Sequence, residues 1–361
     1  MSAPEPAAGR GDFAARVIAW QEGHGRHDLP WQNTRDPYRI WLSEIMLQQT
    51  QVSTVVPYYQ RFLARCPDVA ALAGLATEEV MGLWSGLGYY ARARNLHRCA
   101  RCIVEAHSGQ FPRTPDEIAS LPGIGRSTAA AIAAFAYGTR AAILDGNVKR
   151  VLCRAFGITG FPGERAVENR LWELAESLLP ESGVERYTQG LMDLGATVCT
   201  RSRPACLLCP LTETCVARLE ARIAELPARK PKKATPQRAA TVLILRHGGA
   251  VMLEQRPPAG IWGGLLALPE TEAKGPALAD EVQRRFGLDL GAVQELPPVQ
   301  HAFTHFKLEL RPLLCEVAPG ARSAHEADGK WLPLSELNSA PLPAPVRRLL
   351  QQVAAESVAP I

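Results

Sequence analysis

Residues 113–138 read "RTPDEIASLPGIGRSTAAAIAAFAYG" and contain signals for the ends of two helices. Thr114 can cap a helix there, because Glu117 follows three residues later and completes a capping box. That helix should stop at the proline of the turn. A second helix, rich in alanine, should start near Ser127. It should end at Gly138, because a glycine commonly follows the last residue of a helix. The sequence therefore predicts two short helices joined by a tight turn.

The turn between these helices reads "PGIG" and needs backbone torsions that glycine adopts most easily. The amides of Gly123 and Gly125, together with the N-terminus of the second helix, would face one spot and form a phosphate seat. An ordinary helical hairpin with a glycine-rich turn is the simpler alternative. The full pattern, with its small-residue second helix, favours a helix-hairpin-helix that binds the DNA backbone.

The length of 361 residues predicts two domains. No run of about eighteen apolar residues is present, so we expect no membrane span. The start, "MSAPEPAAGRGDF", lacks the apolar core of a secretory signal and is typical of a short disordered tail. These features predict a cytoplasmic protein, where structural disulfides are improbable. The net charge of +4 predicts local basic surfaces, and not a uniformly cationic molecule.

Four of the nine cysteines lie within residues 199–215, "CTRSRPACLLCPLTETC", separated by six, two and five residues. Four thiolates suit either zinc or an iron–sulfur cluster. Structural zinc usually takes two CxxC pairs, and this loop contains only one. The spacing therefore favours an iron–sulfur cluster and leaves zinc as the alternative. The candidate ligands are Cys199, Cys206, Cys209 and Cys215.

Asp145 precedes a helix that should begin at Gly146 or Asn147. An aspartate at this place is most often only an N-cap. Because a capping carboxylate accepts backbone N–H bonds and lies at the positive end of the helix dipole, we expect it to stay ionised.

Glu44 lies in "YRIWLSEIMLQQTQVSTVV", whose apolar residues recur at helical spacing until Pro57. Ile40 and Leu47 share its face of the helix. A carboxyl group among apolar neighbours has a raised pKa and can act as a general acid. One protonated and one ionised carboxyl group form the pair that cleavage of a glycosidic bond requires.

Several motifs together resemble the adenine DNA glycosylases of the MutY type, in the endonuclease III-like helix-hairpin-helix superfamily. They are "SEIMLQQTQV", "GLGYYARARNL", "LPGIGRSTAAAI", "LDGNVKRVL" and the four-cysteine loop. The resemblance runs from near Phe13 to Pro227. It implies an all-helical catalytic region and a [4Fe-4S] cluster bound by the four cysteines of the loop.

The resemblance also implies roles for single residues. Glu44 would protonate the departing adenine, which must be flipped out of the duplex, and Asp145 would stabilise the positively charged sugar. Asn147 and Ser127 are similar to pocket residues that orient Asp145 and the sugar. Trp31 resembles a wall of the base pocket.

Further positions match family residues that contact DNA. Gln49 and Tyr89 match residues that wedge into the duplex. Gln48, Thr50 and Leu87 match residues along the opposite strand.

After Pro227 the composition changes to "ARKPKKATPQR", which is typical of an exposed basic linker. Two β-rich runs joined by a Gly-Gly turn follow, then a strand in "HFKLELRPLLCEV" and helices near Asp280–Phe286 and at the C-terminus. This α+β pattern and the stretch "RPPAGIWGGLLALPE" resemble a Nudix fold.

The Nudix resemblance is incomplete at the residues that would hold metal ions. Gly264 and Glu270 fit the start of the signature, but Val282 and Gln283 stand where acids belong. We therefore expect the fold without pyrophosphohydrolase activity. In MutY-type proteins such a domain reads 8-oxoguanine, and "HAFTHFKL" matches the reading loop through three consecutive residues, Phe303, Thr304 and His305.

We predict a multidomain protein with a tail at 1–12, an all-α helix-hairpin-helix glycosylase domain with its iron–sulfur loop at 13–228, a basic linker at 229–237 and an α+β Nudix-like domain at 238–361. The predicted function is monofunctional removal of adenine from A:8-oxoguanine or A:G mispairs in double-stranded DNA. We expect a monomer in the bacterial cytoplasm, associated with the nucleoid and without a membrane partner.

Two other functions fit parts of the sequence. An endonuclease III-like bifunctional glycosylase and AP lyase would carry a nucleophilic lysine where this chain has Ser127. A DNA-binding or damage-sensing protein without catalysis would be expected to lack one of the two carboxylates. Glu44 and Asp145 are both present, so adenine glycosylase is the preferred interpretation.

Overall fold

The computed structural model describes residues 10–230, 236–257, 260–303, 306–319, 329–338 and 340–356. Its contacts divide the chain into two units. The first unit contains Met1–Gly74 and Asn95–Lys232, and the second contains Leu75–Arg94 and Lys233–Ile361. Within the described ranges, no helix combines the length and the apolar character that a bilayer crossing demands.

The structure differs from the predicted domains in three places. Gln237, assigned to the linker, is already the first residue of a strand. Residues 10–12, assigned to the tail, already form the start of the first helix. Leu75–Arg94, assigned to the glycosylase domain, group by their contacts with the C-terminal residues.

Helices form most of the chain up to Leu219. In chain order they are α1 Arg10–His24, α2 Pro37–Leu47, α3 Val52–Arg65, α4 Val69–Ala73, α5 Thr77–Trp84, α6 Ala91–His107, α7 Pro115–Ser120, α8 Arg126–Tyr137, α9 Gly146–Ala155, α10 Arg165–Ser177, α11 Val184–Asp193 and α12 Val216–Leu219. A π-helical turn, Leu194–Val198, and a 3₁₀ turn, Cys206–Leu208, lie between the last two. The predicted all-α character of this region is confirmed.

The predicted hairpin is formed by α7 and α8. Thr114 and Glu117 make both bonds of the capping box, each backbone N–H donating to the other's side chain at 3.3 Å. Gly123 has φ 79°, and a Cβ there would lie 2.5 Å from the Cβ of Asn95. The turn therefore needs glycine both for its torsion and for the close approach of α6. Gly138 ends α8 in the left-handed conformation, as predicted.

The predicted helix break at Pro57 is wrong. Helix α2 already ends at Leu47, and Gln49 takes a left-handed φ of 59° in the polar run between α2 and α3. Pro57 lies inside α3. Proline removes one backbone donor and crowds the preceding turn, yet the helix continues through it for two more turns.

One apolar core of the first unit surrounds α9. Val148, Val151 and Leu152 of α9 are fully buried against residues of α1, α10 and α11. The π-helical turn packs directly on the first residues of α9 and leaves no room for a side chain between the two backbones. A Cβ at Gly195 would lie 2.5 Å from the Cβ of Asn147. The absence of a side chain at Gly195 therefore fixes how closely the N-terminus of α9 is held.

The C-terminal part of the second unit is a mixed sheet with helices. Its strands are β1 Gln237–His247, β2 Ala250–Gln255, β3 Leu266–Ala267, β4 Glu270–Thr271, β5 Leu288–Glu295, β6 Val299–Ala302, β7 Lys307–Pro319 and β8 Lys330–Pro333, and its helices are α13 Pro276–Phe286 and α14 Ala344–Glu356. The long strands β1 and β7 pair in parallel from Gln237↔Lys307 to Arg246↔Glu316. The predicted α+β architecture is confirmed.

Side chains of β1 alternate between two apolar cores, as the period of a strand requires. Val242 and Ile244 pack in a cluster that includes α14, whereas Leu243 and Leu245 pack in a cluster that includes α13. Gly248 and Gly249, with φ 54° and 79°, form the predicted turn between β1 and β2. The sheet is therefore covered on both faces.

One of the two positions where the Nudix signature lacks an acid lies in the apolar core. Val282 is fully buried in the core beneath α13. An ionised carboxylate at this place would lose its hydration without a partner. The apolar residue at 282 thus serves packing.

Candidate active site

A cavity of about 1390 Å³ opens in the first unit among the loop before α2, helix α2 itself, and the N-termini of α8 and α9. Eight of the predicted site residues line it. They are Trp31, Glu44, Gln48, Gln49, Thr50, Ser127, Asp145 and Asn147. The two candidate carboxyl groups, 101 positions apart in sequence (44 to 145), thus face one cavity.

Glu44 projects from the middle of α2 and has the raised pKa that its apolar neighbours predicted. Burial raises the pKa of Glu44 to about 8, and the negative charge of Asp145 adds to this effect. At neutral pH most Glu44 side chains therefore carry a proton. A protonated carboxyl group in a cavity can donate that proton to a bound molecule.

Asp145 caps α9, and its Oδ1 accepts the backbone N–H of Val148 at 2.8 Å. Burial raises the pKa of Asp145, an effect that the sequence did not indicate, so its ionised state stays a prediction. Backbone N–H bonds and the nearby cations Arg150 and Lys149 oppose that rise. Since the charge of Asp145 is one cause of the high pKa of Glu44, Asp145 loses its proton first.

Asn147 and Ser127 are both tied to the segment around Asp145. The side-chain oxygen of Asn147 accepts a hydrogen bond from Arg150 at 2.8 Å. The Ser127 hydroxyl oxygen accepts the backbone N–H of Leu144 at 2.9 Å. The Ser127 bond holds the backbone just before the carboxylate, whereas the Asn147 bond joins two side chains of α9.

The segment after α2 carries Gln48, Gln49 and Thr50. The Gln48 amide donates to the hydroxyl of Thr128 at 3.4 Å, so this segment is linked to α8. The left-handed φ of Gln49 is strained for a residue with a side chain. Strain of this kind is typical of positions where a side chain must point at a ligand.

Trp31 is 8% exposed and meets the ring of Tyr59 edge-on, with the centroids 5.4 Å apart. It therefore presents a fixed wall to the cavity.

Gly123 and Gly125 lie in the hairpin turn, and Gly125 is the N-cap of α8.

The remaining predicted DNA contacts belong to the second unit. Leu87 is buried, whereas Tyr89 is 51% exposed with φ 49°. Phe303 stacks on Phe306 with ring centroids 4.5 Å apart and meets His301 edge-on at 4.6 Å. Two further residues of the predicted reading loop, Thr304 and His305, lie outside the described residues.

A buried ion pair at the cavity wall was missed from sequence. The Asp193 carboxylate, fully buried, accepts the side chain of Arg26 at 2.7 Å and the amide of Gln189 at 2.8 Å. Arg26 and Gln189 both line the cavity. No local pattern could have indicated this contact, because Arg26 and Asp193 are 167 positions apart.

The four cysteines of the loop are all half-buried. Burial raises the pKa of Cys209 to about 11, and repulsion from the charges of the other three thiolates adds to the rise. Within the described ranges, no three His, Cys, Asp or Glu side chains are spaced to hold a single metal ion.

Arg154 holds the backbone of the cysteine loop. It is 4% exposed and donates to the carbonyl of Leu226 at 2.8 Å and to that of Thr200 at 2.7 Å. Its guanidinium also lies 3.5 Å from the sulfur of Cys199. Four thiols on one short loop, with a cation beside them, fit the donor set of a [4Fe-4S] cluster.

Comparison with known proteins agrees with this geometry. Residues 42–177 match the HhH-GPD superfamily of base excision DNA repair proteins, and residues 240–352 match the NUDIX domain. A thermostable thymine-DNA glycosylase is similar in structure, with a TM-score of 0.53 and 32% identity over 58% of this chain and 97% of that chain. An endonuclease III in a non-covalent complex with DNA shares the fold, with a TM-score of 0.50 and 21% identity over 59% and 98%.

Curated relatives extend the similarity to nearly the whole chain. An adenine DNA glycosylase of Buchnera aphidicola subsp. Acyrthosiphon pisum is 35% identical over 340 residues, 94% of this chain and 97% of the relative. That of Mus musculus is 34% identical over 400 residues, 94% of this chain and 77% of the relative. The chain therefore belongs to the adenine DNA glycosylase family of base excision repair enzymes.

Proposed function

We propose that this enzyme hydrolyses the glycosidic bond of adenine mispaired with 8-oxoguanine or guanine in double-stranded DNA. The observation that carries the proposal is the pair of carboxyl groups in one cavity, with Glu44 at a pKa of about 8 and Asp145 ionising before it. Glycosidic cleavage requires this division of an acid and an anion.

The proposed reaction begins with adenine flipped into the cavity, because its glycosidic bond is inaccessible in the base stack. Glu44 donates its proton to a ring nitrogen of adenine, so that the base leaves as a neutral molecule. The ionised Asp145 faces the deoxyribose, which gains positive charge as the bond breaks. Glu44, now ionised, takes a proton from the attacking water, and the free enzyme is restored.

The neighbouring residues would position these groups. Ser127 holds the backbone just before Asp145, and Arg150 orients the Asn147 side chain. Trp31 forms a flat wall against which a purine can stack.

The proposed contacts with the rest of the duplex come from several segments. Gln49 and Tyr89 would fill the gap left by the flipped base, with Gln48, Thr50 and Leu87 along the opposite strand. The amides of the hairpin turn, at Gly123 and Gly125, would bind a backbone phosphate.

We further propose that Cys199, Cys206, Cys209 and Cys215 hold a [4Fe-4S] cluster. The cluster, when bound, supplies iron–thiolate bonds that cross-link the loop. Arg154 orients the loop from the side of α9 through its bonds to backbone carbonyl groups. The role assigned to the cluster is structural.

The C-terminal residues would identify the base opposite adenine. Phe303 lies in an aromatic group with Phe306 and His301 at the end of β6, where a flat side chain can stack on a base. Thr304 and His305 follow it directly in sequence. We propose these three residues as the reading loop for 8-oxoguanine.

We infer that the enzyme leaves the DNA backbone intact. A lyase step needs an amine to attack the sugar carbon, and the hydroxyl of Ser127 stands at the hairpin position concerned. The proposed working form is a monomer acting on chromosomal DNA of the bacterial nucleoid.

The pKa of Glu44 predicts how the excision rate depends on pH. The general acid works in its protonated form, so the single-turnover rate should fall as pH rises through about 8. The decline should approach about tenfold per pH unit. The rate should also fall in acid, where Asp145 takes up a proton. Glu44→Gln should lower the rate at pH 7 by roughly 10²–10⁴-fold while duplex binding survives. The exposed carboxylate of Glu105 supplies the control, and Glu105→Gln should match the parent. A rate that stays constant from pH 7 to pH 9 would contradict the role of Glu44.

The cysteine loop predicts the metal content. The purified protein should absorb broadly in the visible and contain about four iron atoms per chain. Cys206→Ser should lower iron content and soluble yield, whereas Cys102→Ser, a half-buried cysteine outside the loop, should change neither. One zinc per chain without iron would show that the cluster assignment is wrong.

The hydroxyl side chain at Ser127 predicts that the DNA product keeps an uncut strand. The backbone should stay intact after adenine release until alkali is added, and borohydride should trap no enzyme–DNA adduct. Ser127→Lys should produce a trappable adduct, because its amine would lie beside Asp145, and Ser127→Ala should not. Strand scission by the parent at neutral pH, with trapping at one lysine, would favour the bifunctional alternative.

Phe303 predicts the choice of opposite base. Phe303→Ala should reduce the preference for 8-oxoguanine over guanine by about ten- to a hundredfold, the range of a lost base contact. Excision opposite guanine should change only a few-fold. Trp331, an exposed aromatic residue of the same unit, provides the control, since Trp331→Ala should keep the parental preference. Equal discrimination by parent and Phe303→Ala in single-turnover measurements would remove Phe303 from the reading loop.

A further inference from the structure

Residues 85–90 lie between α5 and α6 and carry Leu87 and Tyr89. We call them the wedge segment. Three of its residues take a positive φ, Gly86 at 102°, Gly88 at 74° and Tyr89 at 49°. A residue with a side chain keeps such a torsion only where its surroundings enforce it. The position of the exposed Tyr89 side chain therefore depends on the contacts that hold this segment.

Arg92, at the start of α6, holds the tip of the wedge segment. It is buried and donates to the carbonyl groups of Leu87 and Gly88, both at 3.2 Å. The indole N–H of Trp84 donates to the same carbonyl of Gly88 at 3.1 Å. These bonds join residues that are at most five positions apart. They therefore fix the shape of the segment and not its place in the second unit.

Residues from the C-terminal part of the second unit fix that place. Arg347 of α14 donates to the hydroxyl of Ser85 at 2.6 Å. The Tyr90 hydroxyl accepts the backbone N–H of Gly86 at 3.3 Å and donates to the carbonyl of Leu342 at 3.4 Å. Both ends of the wedge segment are thus bonded to residues that lie 262 and 252 positions away in the sequence.

A third contact holds the first turn of α6, directly after the wedge segment. Arg94 donates to the carbonyl of Gly263, a buried residue, at 2.6 Å. The preceding residue, Trp262, packs against Phe303 with ring centroids 5.6 Å apart. Arg94 therefore anchors the start of α6 next to the aromatic group that contains the proposed reading residue.

The anchoring residues are part of one apolar core. Leu337, Ala340 and Leu342 are buried in the cluster against which Phe303 packs. Arg347 also donates to the carbonyl of Ala340 at 2.7 Å. Because a close-packed core yields little to displacement, these anchors are fixed. The wedge segment and Phe303 thus share one rigid support.

We propose that Arg347 and Arg94 are positioning residues for Tyr89, which they hold at the place where its ring enters the duplex. Neither arginine needs to touch DNA for this role. The entry of Tyr89 into the duplex rests on the proposed function, whereas the anchoring of the wedge segment does not.

Hydrogen exchange of the protein without DNA tests the anchoring. Ser85→Ala removes one acceptor of Arg347, so the backbone amides of residues 85–90 should exchange about tenfold faster, the effect of losing a hydrogen bond to a charged group. Arg94→Met removes the donor to Gly263 but keeps an unbranched side chain, and it should have a similar effect. Ser85→Thr restores the hydroxyl and should exchange at the parental rate.

The matched control for Arg94→Met is Arg101→Met. Arg101 also lies on α6, but its side chain is exposed and pairs with Glu105 at 3.6 Å. Exchange in the wedge segment should therefore stay parental in this control. Parental exchange in both Ser85→Ala and Arg94→Met would show that these contacts do not hold the segment, and would overturn the proposal.

Single-turnover excision of adenine opposite 8-oxoguanine tests whether the anchoring acts through Tyr89. Tyr89→Ala should itself excise more slowly than the parent. Ser85→Ala should lower the rate about three- to tenfold when Tyr89 is present and should have no effect in the Tyr89→Ala background, where no ring remains to be positioned. Ser85→Thr should keep the parental rate.

The two backgrounds separate a failure of this proposal from a failure of the proposed function. Equal slowing by Ser85→Ala in both backgrounds would mean that the contact supports the fold and does not act through Tyr89. Parental excision by Ser85→Ala when Tyr89 is present would likewise overturn the positioning role alone. Parental excision by Tyr89→Ala would show that Tyr89 is not a wedge, and would contradict the proposed function as well.

Discussion

Two arginine side chains, one turn apart on α9, connect the candidate catalytic residues with the cysteine loop. Arg150 binds the side chain of Asn147 and the carbonyl of Cys199, and Arg154 binds the carbonyl of Thr200. Both arginines belong to the helix whose N-cap is Asp145. They therefore tie the cysteine loop to the helix that holds this carboxylate.

The electrostatics of the cavity depend on the same helix. Both carboxyl groups are buried, which raises the pKa of each, but only Asp145 has backbone N–H bonds and two nearby cations to oppose the rise. The charge of Asp145 then keeps the proton on Glu44. The two carboxyl groups are both buried in one cavity, but they differ in the hydrogen-bond donors and cations around them. Glu44 therefore keeps its proton where Asp145 is ionised.

The sheet of the second unit is covered by helices on both faces. The Nudix signature in this unit, however, has no acid at positions 282 and 283. Val282 completes the core beneath α13, and the Glu281 carboxylate is bound by Arg285 at 2.7 Å and by Thr271 at 2.7 Å. The carboxylate that is present in this helix is thus engaged by a side-chain cation and a hydroxyl. This arrangement accords with a domain retained for recognition, the role proposed for Phe303.

Local chemistry in the sequence determined the capping box at Thr114, the left-handed Gly138, the Asp145 cap and the Gly-Gly turn of the sheet, since each depends on neighbours a few positions away. It also indicated the residues of the cavity, although largely through their resemblance to a family. The helix break was misplaced at Pro57, because a polar run and a strained Gln49 end α2 earlier. Only the tertiary structure decided the direction of the pKa shift at Asp145 and the Arg26–Asp193 pair. Burial sets the first and contact between distant segments sets the second, and neither is encoded in any short stretch of the chain.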